Sequence, residues 1–75
     1  MRKANRQTYT IVIRTVEGGY VASCPAVPEC HAQGATYAEA LANAREALAL
    51  CLEYMREQGL PLPTEAGTEQ VAIPA

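Results

Sequence analysis

The chain has 75 residues and a mass of 8.0 kDa, which is enough for one domain and no more. Hydrophobic residues make up 49% and charged residues 19%, a composition that folds, while the net charge of −2 argues against a general nucleic-acid-binding protein. The sequence has no Asp and a single His, so most hydrolytic constellations cannot be assembled, and we expect neither an enzyme nor a cofactor.

The charge is unevenly distributed. Residues 1–7 form a basic arm that contains Arg2, Lys3 and Arg6, and we expect this arm to be flexible and solvated, with a phosphate contact as the alternative. Residues 7–75 carry three basic and eight acidic side chains, a net charge of −5. No segment is long and apolar enough to span a bilayer, and the odd count of three cysteines favours reduced thiols, so we expect a cytoplasmic protein.

The first half of the chain predicts a small sheet. Residues 8–16 are dense in β-branched and aromatic types, which is typical of a strand, and residues 20–24 resemble its return strand. Glu17-Gly18-Gly19 between them supplies the glycines of a tight hairpin turn. Pro25 and Pro28 lie in a connector, and residues 30–34 predict a third short strand.

The second half predicts one long helix. Thr36 and Glu39 have the spacing of a capping box, and apolar residues at steps of three and four extend the helix from about 37 to 58, where Gly59 ends it. Residues 69–73 predict a short last strand. The fold class is therefore α+β, a single β-β-β-α-β domain over residues 8–75 with a three-stranded antiparallel sheet and the helix packed on one face.

An ordered series of short motifs resembles the HicB-like antitoxin family over residues 8–73. The motifs are Gly18-Gly19-Tyr20-Val21-Ala22, Pro25-Ala26-Val27-Pro28-Glu29-Cys30 and Gln33-Gly34-Ala35-Thr36, followed by the helix and its Pro61-Leu62-Pro63 exit. The resemblance implies a reduced ribonuclease H-like fold and a role in silencing a small HicA-like toxin that cleaves mRNA. Glu29 departs from the family, which usually has Gly there. The family's C-terminal DNA-binding module is not present before Ala75, so we do not expect direct DNA binding.

Three groups of residues are candidates for contacts with other proteins. A proline-stiffened loop beside an aromatic strand residue suits partner recognition, although it equally suits a loop folded over the end of the core: Tyr20, Pro25, Val27 and Pro28. Helix glutamates are typical of a solvated face and would also steer a basic toxin: Glu39, Glu46 and Glu53. The far end of the long helix and the last strand are candidates for self-association into a dimer or tetramer: Leu52, Met55, Val71 and Ile73.

The remaining chemistry-bearing residues favour structural roles. Cys24, Cys30 and His31 do not have a standard metal-ligand spacing, with Cys51 the only further thiol, so we expect buried cysteines and no metal. The sequence thus predicts an antitoxin-type binding protein that neutralises a HicA-like toxin by occluding its RNA-binding and catalytic face. The alternative is a stand-alone HicB-like domain that serves as an oligomeric scaffold or a small-ligand module without a toxin.

Overall fold

The computed structural model describes residues 7–74, so nearly all of the basic arm lies outside the described residues. Its elements follow in the order β1 (Val12–Val16), β2 (Gly19–Cys24), β3 (Val27–Gly34) and α1 (Tyr37–Glu57). The three strands form one antiparallel sheet in the order β1-β2-β3, and α1 packs on one of its faces, chiefly against β3. This arrangement confirms the predicted α+β class.

The first hairpin forms where the glycines predict it. Val16 of β1 pairs with Gly19 of β2, and Glu17–Gly18 make a two-residue turn in which Gly18 has a φ of 88°. A side chain is strained at such a positive φ, and this explains the glycine. Gly19 lacks a side chain for a steric reason, because a Cβ there would lie 2.5 Å from the Gly34 carbonyl oxygen.

The third strand begins earlier than the sequence predicts. Val27 pairs with Cys24 directly across the two-residue turn Pro25–Ala26, whereas the next pair on β2 is Ser23 with His31. Residues 28–30 therefore bulge out of the ladder, and the irregularity accommodates Pro28, which has no backbone N–H to donate. The bulge turns Cys30 into the core and leaves residues 28 and 29 exposed.

Local hydrogen bonds fix the N-terminus of the helix. The Glu39 backbone N–H donates to Thr36 Oγ1 at 3.1 Å, which confirms the predicted N-cap. The Glu39 carboxylate accepts from the Ala35 backbone N–H at 2.8 Å, so the second arm of the capping box reaches one residue further back than the standard motif.

The C-terminus of the helix closes with a Schellman motif. The Leu60 N–H donates to the Met55 carbonyl oxygen at 2.9 Å and the Gly59 N–H to the Arg56 carbonyl oxygen at 3.1 Å. Gly59 adopts the left-handed φ of 72° that the motif requires. The predicted helix end is thus confirmed to within one residue.

The core between sheet and helix is thin and made of small side chains. One cluster contains Ala22, Ala40 and Ala44, against which Ile11 and Ile13 pack. The second cluster contains fully buried cysteines and a valine and is covered by the middle of the helix: Cys24, Val27 and Cys30, with Ala47, Leu48, Cys51 and Leu52 around them. Val27 is the largest fully buried side chain among the described residues.

The predicted last strand is not formed within the described chain. Residues 60–74 carry no strand, and Val71 and Ile73 are each 72% exposed. The segment is instead tied to the start of the sheet at residues 63–65, where the Tyr9 hydroxyl donates to the Pro63 carbonyl oxygen and Thr10 donates to Glu65. A short apolar segment becomes a strand only when a neighbouring edge supplies its hydrogen bonds, so the local pattern alone overpredicted it here.

Candidate partner-binding surface

An exposed groove lies where the second half of α1 passes the bulge in β3. It has a volume of about 390 Å³ and is lined mainly by apolar side chains from the helix, one residue of the bulge and one residue beyond the helix: Glu29, Leu50, Cys51, Tyr54, Met55 and Leu60. We call these six residues the apolar groove. Leu50 is 61% exposed, Tyr54 60% and Leu60 47%, so large apolar side chains face solvent there.

The charges of the helix are segregated beside this groove. An α-helix advances by about 100° per residue, which places four exposed glutamates within about 40° of one another: Glu39, Glu46, Glu53 and Glu57. We call these four residues the acidic flank. Leu50 lies about 20° from Glu39 on the side of the groove, whereas Arg45 and Arg56 lie about 100–120° from Glu39 in the other direction.

The structure separates the loop residues that the sequence grouped together. Tyr20 lies at the beginning of β2, half-buried and edge-on to Tyr37 with ring centroids 6.1 Å apart. Pro25 and Pro28 are exposed at the opposite end of the strand, roughly 17 Å from Tyr20 at 3.3 Å per residue. Val27 is only 1% exposed and belongs to the core, so its assignment to a partner surface is corrected here.

The candidate charged and self-association residues are also divided. Glu46 and Glu53 are exposed on the acidic flank, whereas Glu39 is engaged in the helix cap. Met55 lines the apolar groove, and Leu52 packs on the cluster of Cys24, Val27 and Cys30.

Sequence reasoning missed Leu50, Tyr54 and Leu60. The available signal was that Leu50 and Tyr54 are large apolar residues that lie off the buried stripe of the helix.

Cys24 and Cys30 are buried in one cluster, Cys51 packs against that cluster, and His31 does not join them. Cys30 Sγ lies 3.6 Å from the Ala44 carbonyl oxygen and donates to it. Burial raises the pKa of the Cys30 thiol, and the neighbouring Cys24 and Cys51 add to the rise. His31 is exposed on the other face of the sheet. Across residues 7–74, no group of three His, Cys, Asp or Glu side chains is placed to hold a metal ion.

The sheet face opposite the helix has a different character. The register aligns Val12, Ser23 and His31 in one row and Arg14, Val21 and Gln33 in the next. Arg14 is its charged residue, and Val12 and Val16 are partly exposed there. This face combines small apolar and polar side chains without the large apolar residues of the groove.

Comparison with known proteins decides the family. The model of the HicB-like antitoxin of bacterial toxin–antitoxin systems matches residues 9–73. The chain belongs to this family. No helix in the described part of this HicB-like chain is long and apolar enough to cross a membrane.

Relatives of the HicB-like chain fall into two sizes. A UPF0150 protein of Thermoplasma acidophilum is 35% identical over 68 residues, which cover 89% of this chain and 97% of the relative. A UPF0150 protein of Synechocystis sp. is 40% identical over 58 residues, covering 76% and 73% of the two chains. Antitoxin HicB 1 of Photorhabdus laumondii is 39% identical over 69 residues, which cover 88% of this chain and 44% of that longer protein.

Proposed function

We propose that this HicB-like chain is the antitoxin of a toxin–antitoxin pair and neutralises a small HicA-like, mRNA-cleaving toxin in the cytoplasm. It acts by binding, without catalysis, and covers the toxin's RNA-binding and catalytic face. The observation that carries this proposal is the match of the antitoxin family model to residues 9–73, which is nearly the whole chain. The name of the Photorhabdus relative, Antitoxin HicB 1, supports the same role.

Electrostatics supports the proposed partner. A protein that binds RNA presents basic side chains to the phosphates. The present chain offers the opposite charge, because residues 7–75 carry a net charge of −5 and the acidic flank exposes a row of glutamates. Such an acidic surface attracts a basic RNA-binding face, competes with phosphate for it and accelerates encounter.

Co-expression with the protein encoded by the adjacent reading frame, which the proposal expects to be small and basic, tests the proposal. We expect growth to be rescued from the toxicity of that protein, and a mixed complex to elute on size exclusion. In vitro, a stoichiometric amount of the HicB-like chain should abolish cleavage of an mRNA by the purified toxin. Undiminished cleavage at a micromolar excess of the chain would contradict the proposal.

A stand-alone oligomeric scaffold is the second candidate function. It is favoured by the exposure of Val71 and Ile73, which leaves an apolar segment without a covering neighbour in the described chain. Light scattering separates the two functions, because a homo-oligomer that neither binds nor inhibits the neighbouring gene product would favour the scaffold.

A further inference from the structure

We propose that the apolar groove and the acidic flank together form the docking surface for the partner, which is a basic protein that inserts an apolar side chain between Leu50, Tyr54 and Leu60. The identity of this partner as the toxin rests on the proposed function. The chemistry of the surface, by contrast, follows from the described residues themselves.

Large apolar side chains are exposed together at one place on the surface. Leu50 and Tyr54 are one helical turn apart, and Leu60 follows the Schellman turn that directs the chain back toward them. Each is about half or more exposed, although the same helix buries a different stripe on the sheet. A concave apolar site containing a tyrosine is typical of the centre of a protein interface, where a few anchors supply most of the binding energy.

The charge around the groove selects its occupant. Glu29 is the charged residue in the lining, and Glu53 and Glu57 lie beside Leu50 and Tyr54 on the helix. In a symmetric contact with a second copy, the same acidic residues would be brought to the interface from both sides, and like charges gathered at one interface oppose association. A basic partner satisfies them, so the charge pattern favours a different protein over a second copy.

The bulge in β3 holds the groove in shape. Cys30 is fully buried and donates its thiol to the Ala44 carbonyl oxygen, which fixes the bulge to the middle of the helix. Glu29 immediately precedes Cys30 and is thereby held at the wall of the groove. A preformed site loses less conformational entropy on binding than a mobile loop does.

Two pairs of substitutions test the docking surface with matched controls. Tyr54→Ala removes an anchor, and its control is Tyr37→Ala, which removes a tyrosine of similar exposure, 57% against 60%, at the other end of the helix. Glu53→Lys reverses a charge on the acidic flank, and its control is Glu17→Lys in the exposed β1–β2 turn. Circular dichroism and urea denaturation should show that all four variants remain folded.

Binding to the adjacent-frame protein, inactivated by substitution, is measured by calorimetry for affinity and by surface plasmon resonance for the association rate. Tyr54→Ala should weaken binding by about tenfold or more, as expected for an interface anchor, whereas Tyr37→Ala should change it less than about threefold. Glu53→Lys should slow association and flatten its dependence on salt, and Glu17→Lys should do so much less. If tight binding survives Tyr54→Ala and Glu53→Lys, the groove is not the docking surface, although the proposed function stands.

A second probe makes the groove testable if the wild-type chain does not bind that protein. A helical peptide of Leu and Lys and its Leu and Glu counterpart are titrated into the labelled chain and followed by NMR. We expect the Lys peptide to shift the signals of Leu50, Tyr54 and Leu60, and the Glu peptide to bind at least tenfold more weakly. Equal binding of both peptides would overturn the proposal, as would a homo-oligomer that Tyr54→Ala, but not Tyr37→Ala, dissociates.

Discussion

Gly34 is the point at which the end of β3 touches the first turn of the helix. A Cβ atom there would overlap the backbone of Ala40, with its Cα at 2.9 Å, and a backbone atom cannot rotate away as a side chain can. We expect Gly34→Ala to lower the free energy of unfolding by about 1–3 kcal/mol through overpacking. The measurement is urea denaturation, with Gly67→Ala as control because no atom lies within 4 Å of a Cβ there. Equal stability of the two variants would contradict this close approach.

The three thiols differ in their access to solvent. Cys51 is partly exposed in the apolar groove, whereas Cys24 and Cys30 are buried. A thiol reacts as the thiolate, and the raised pKa of Cys30 disfavours that form. We therefore expect alkylation by iodoacetamide at pH 8 to modify Cys51 first and Cys30 far more slowly, as mass spectrometry of the peptides would show. Modification of Cys30 at the rate of Cys51 would be inconsistent with the described core.

The Cys30 thiol makes the free energy of unfolding depend on pH in the alkaline range. The folded-state pKa of Cys30 is raised by burial, so the folded chain retains this proton at pH values where the unfolded chain releases it. Its contribution to the free energy of unfolding is therefore complete below the unfolded pKa of about 8.5 and is lost as the pH rises through the folded pKa. Urea titrations at pH 7 and 9.5 should show a larger loss for wild type than for Cys30→Ala. An equal loss in the two proteins would assign the effect to other groups.

The Glu65 side chain binds the segment after the helix to Thr10, two residues before β1. The Thr10 backbone N–H and hydroxyl donate to the two carboxylate oxygens of Glu65, at 2.6 and 2.8 Å. We expect Glu65→Ala to lower the free energy of unfolding by about 1–2 kcal/mol, because hydrogen bonds to a charged group are stronger than neutral ones and this pair is partly buried. Hydrogen exchange of the Thr10 amide should accelerate, and the exposed Glu69→Ala is the control. An unchanged rate of hydrogen exchange at the Thr10 amide in Glu65→Ala would contradict a stabilising role for the hydrogen bonds between Thr10 and Glu65.

Among the secondary-structure elements, sequence motifs correctly predicted those features that depend on interactions between residues close in sequence. The hairpin and the helix ends follow from Gly18, Thr36 and Gly59, whose turns and caps need only residues within five positions. The start of β3 cannot be predicted from such nearby residues, because its bulge depends on the contact of Cys30 with the helix backbone. The apolar groove also escaped prediction, since periodicity identifies the buried stripe and is silent about large apolar residues that lie outside it.

The whole molecule has little interior for its surface. Among the described residues, the six that are buried in the core are three alanines, two cysteines and one valine, so the fold removes little apolar surface from water. We expect self-association as a dimer or tetramer in which Val71 and Ile73 are covered, and light scattering at tens of micromolar should give a mass of two or more subunits. Val71→Ser with Ile73→Ser should lower that mass, whereas Val12→Ser with Val16→Ser on the sheet should not. A single-subunit mass for the wild type would refute this prediction.

The three two-residue connections have a kinetic consequence. Glu17–Gly18, Pro25–Ala26 and Ala35–Thr36 join consecutive elements that pack on one another, so the sheet and helix assemble from contacts close in sequence, and such chains cross the folding barrier quickly. The hydrogen bonds of Tyr9 to Pro63 and of Thr10 to Glu65 span 54 and 55 positions, so we expect them to form last. Removing them should therefore speed unfolding in stopped-flow experiments and leave the refolding rate unchanged, which makes this segment a determinant of how long each folded molecule survives.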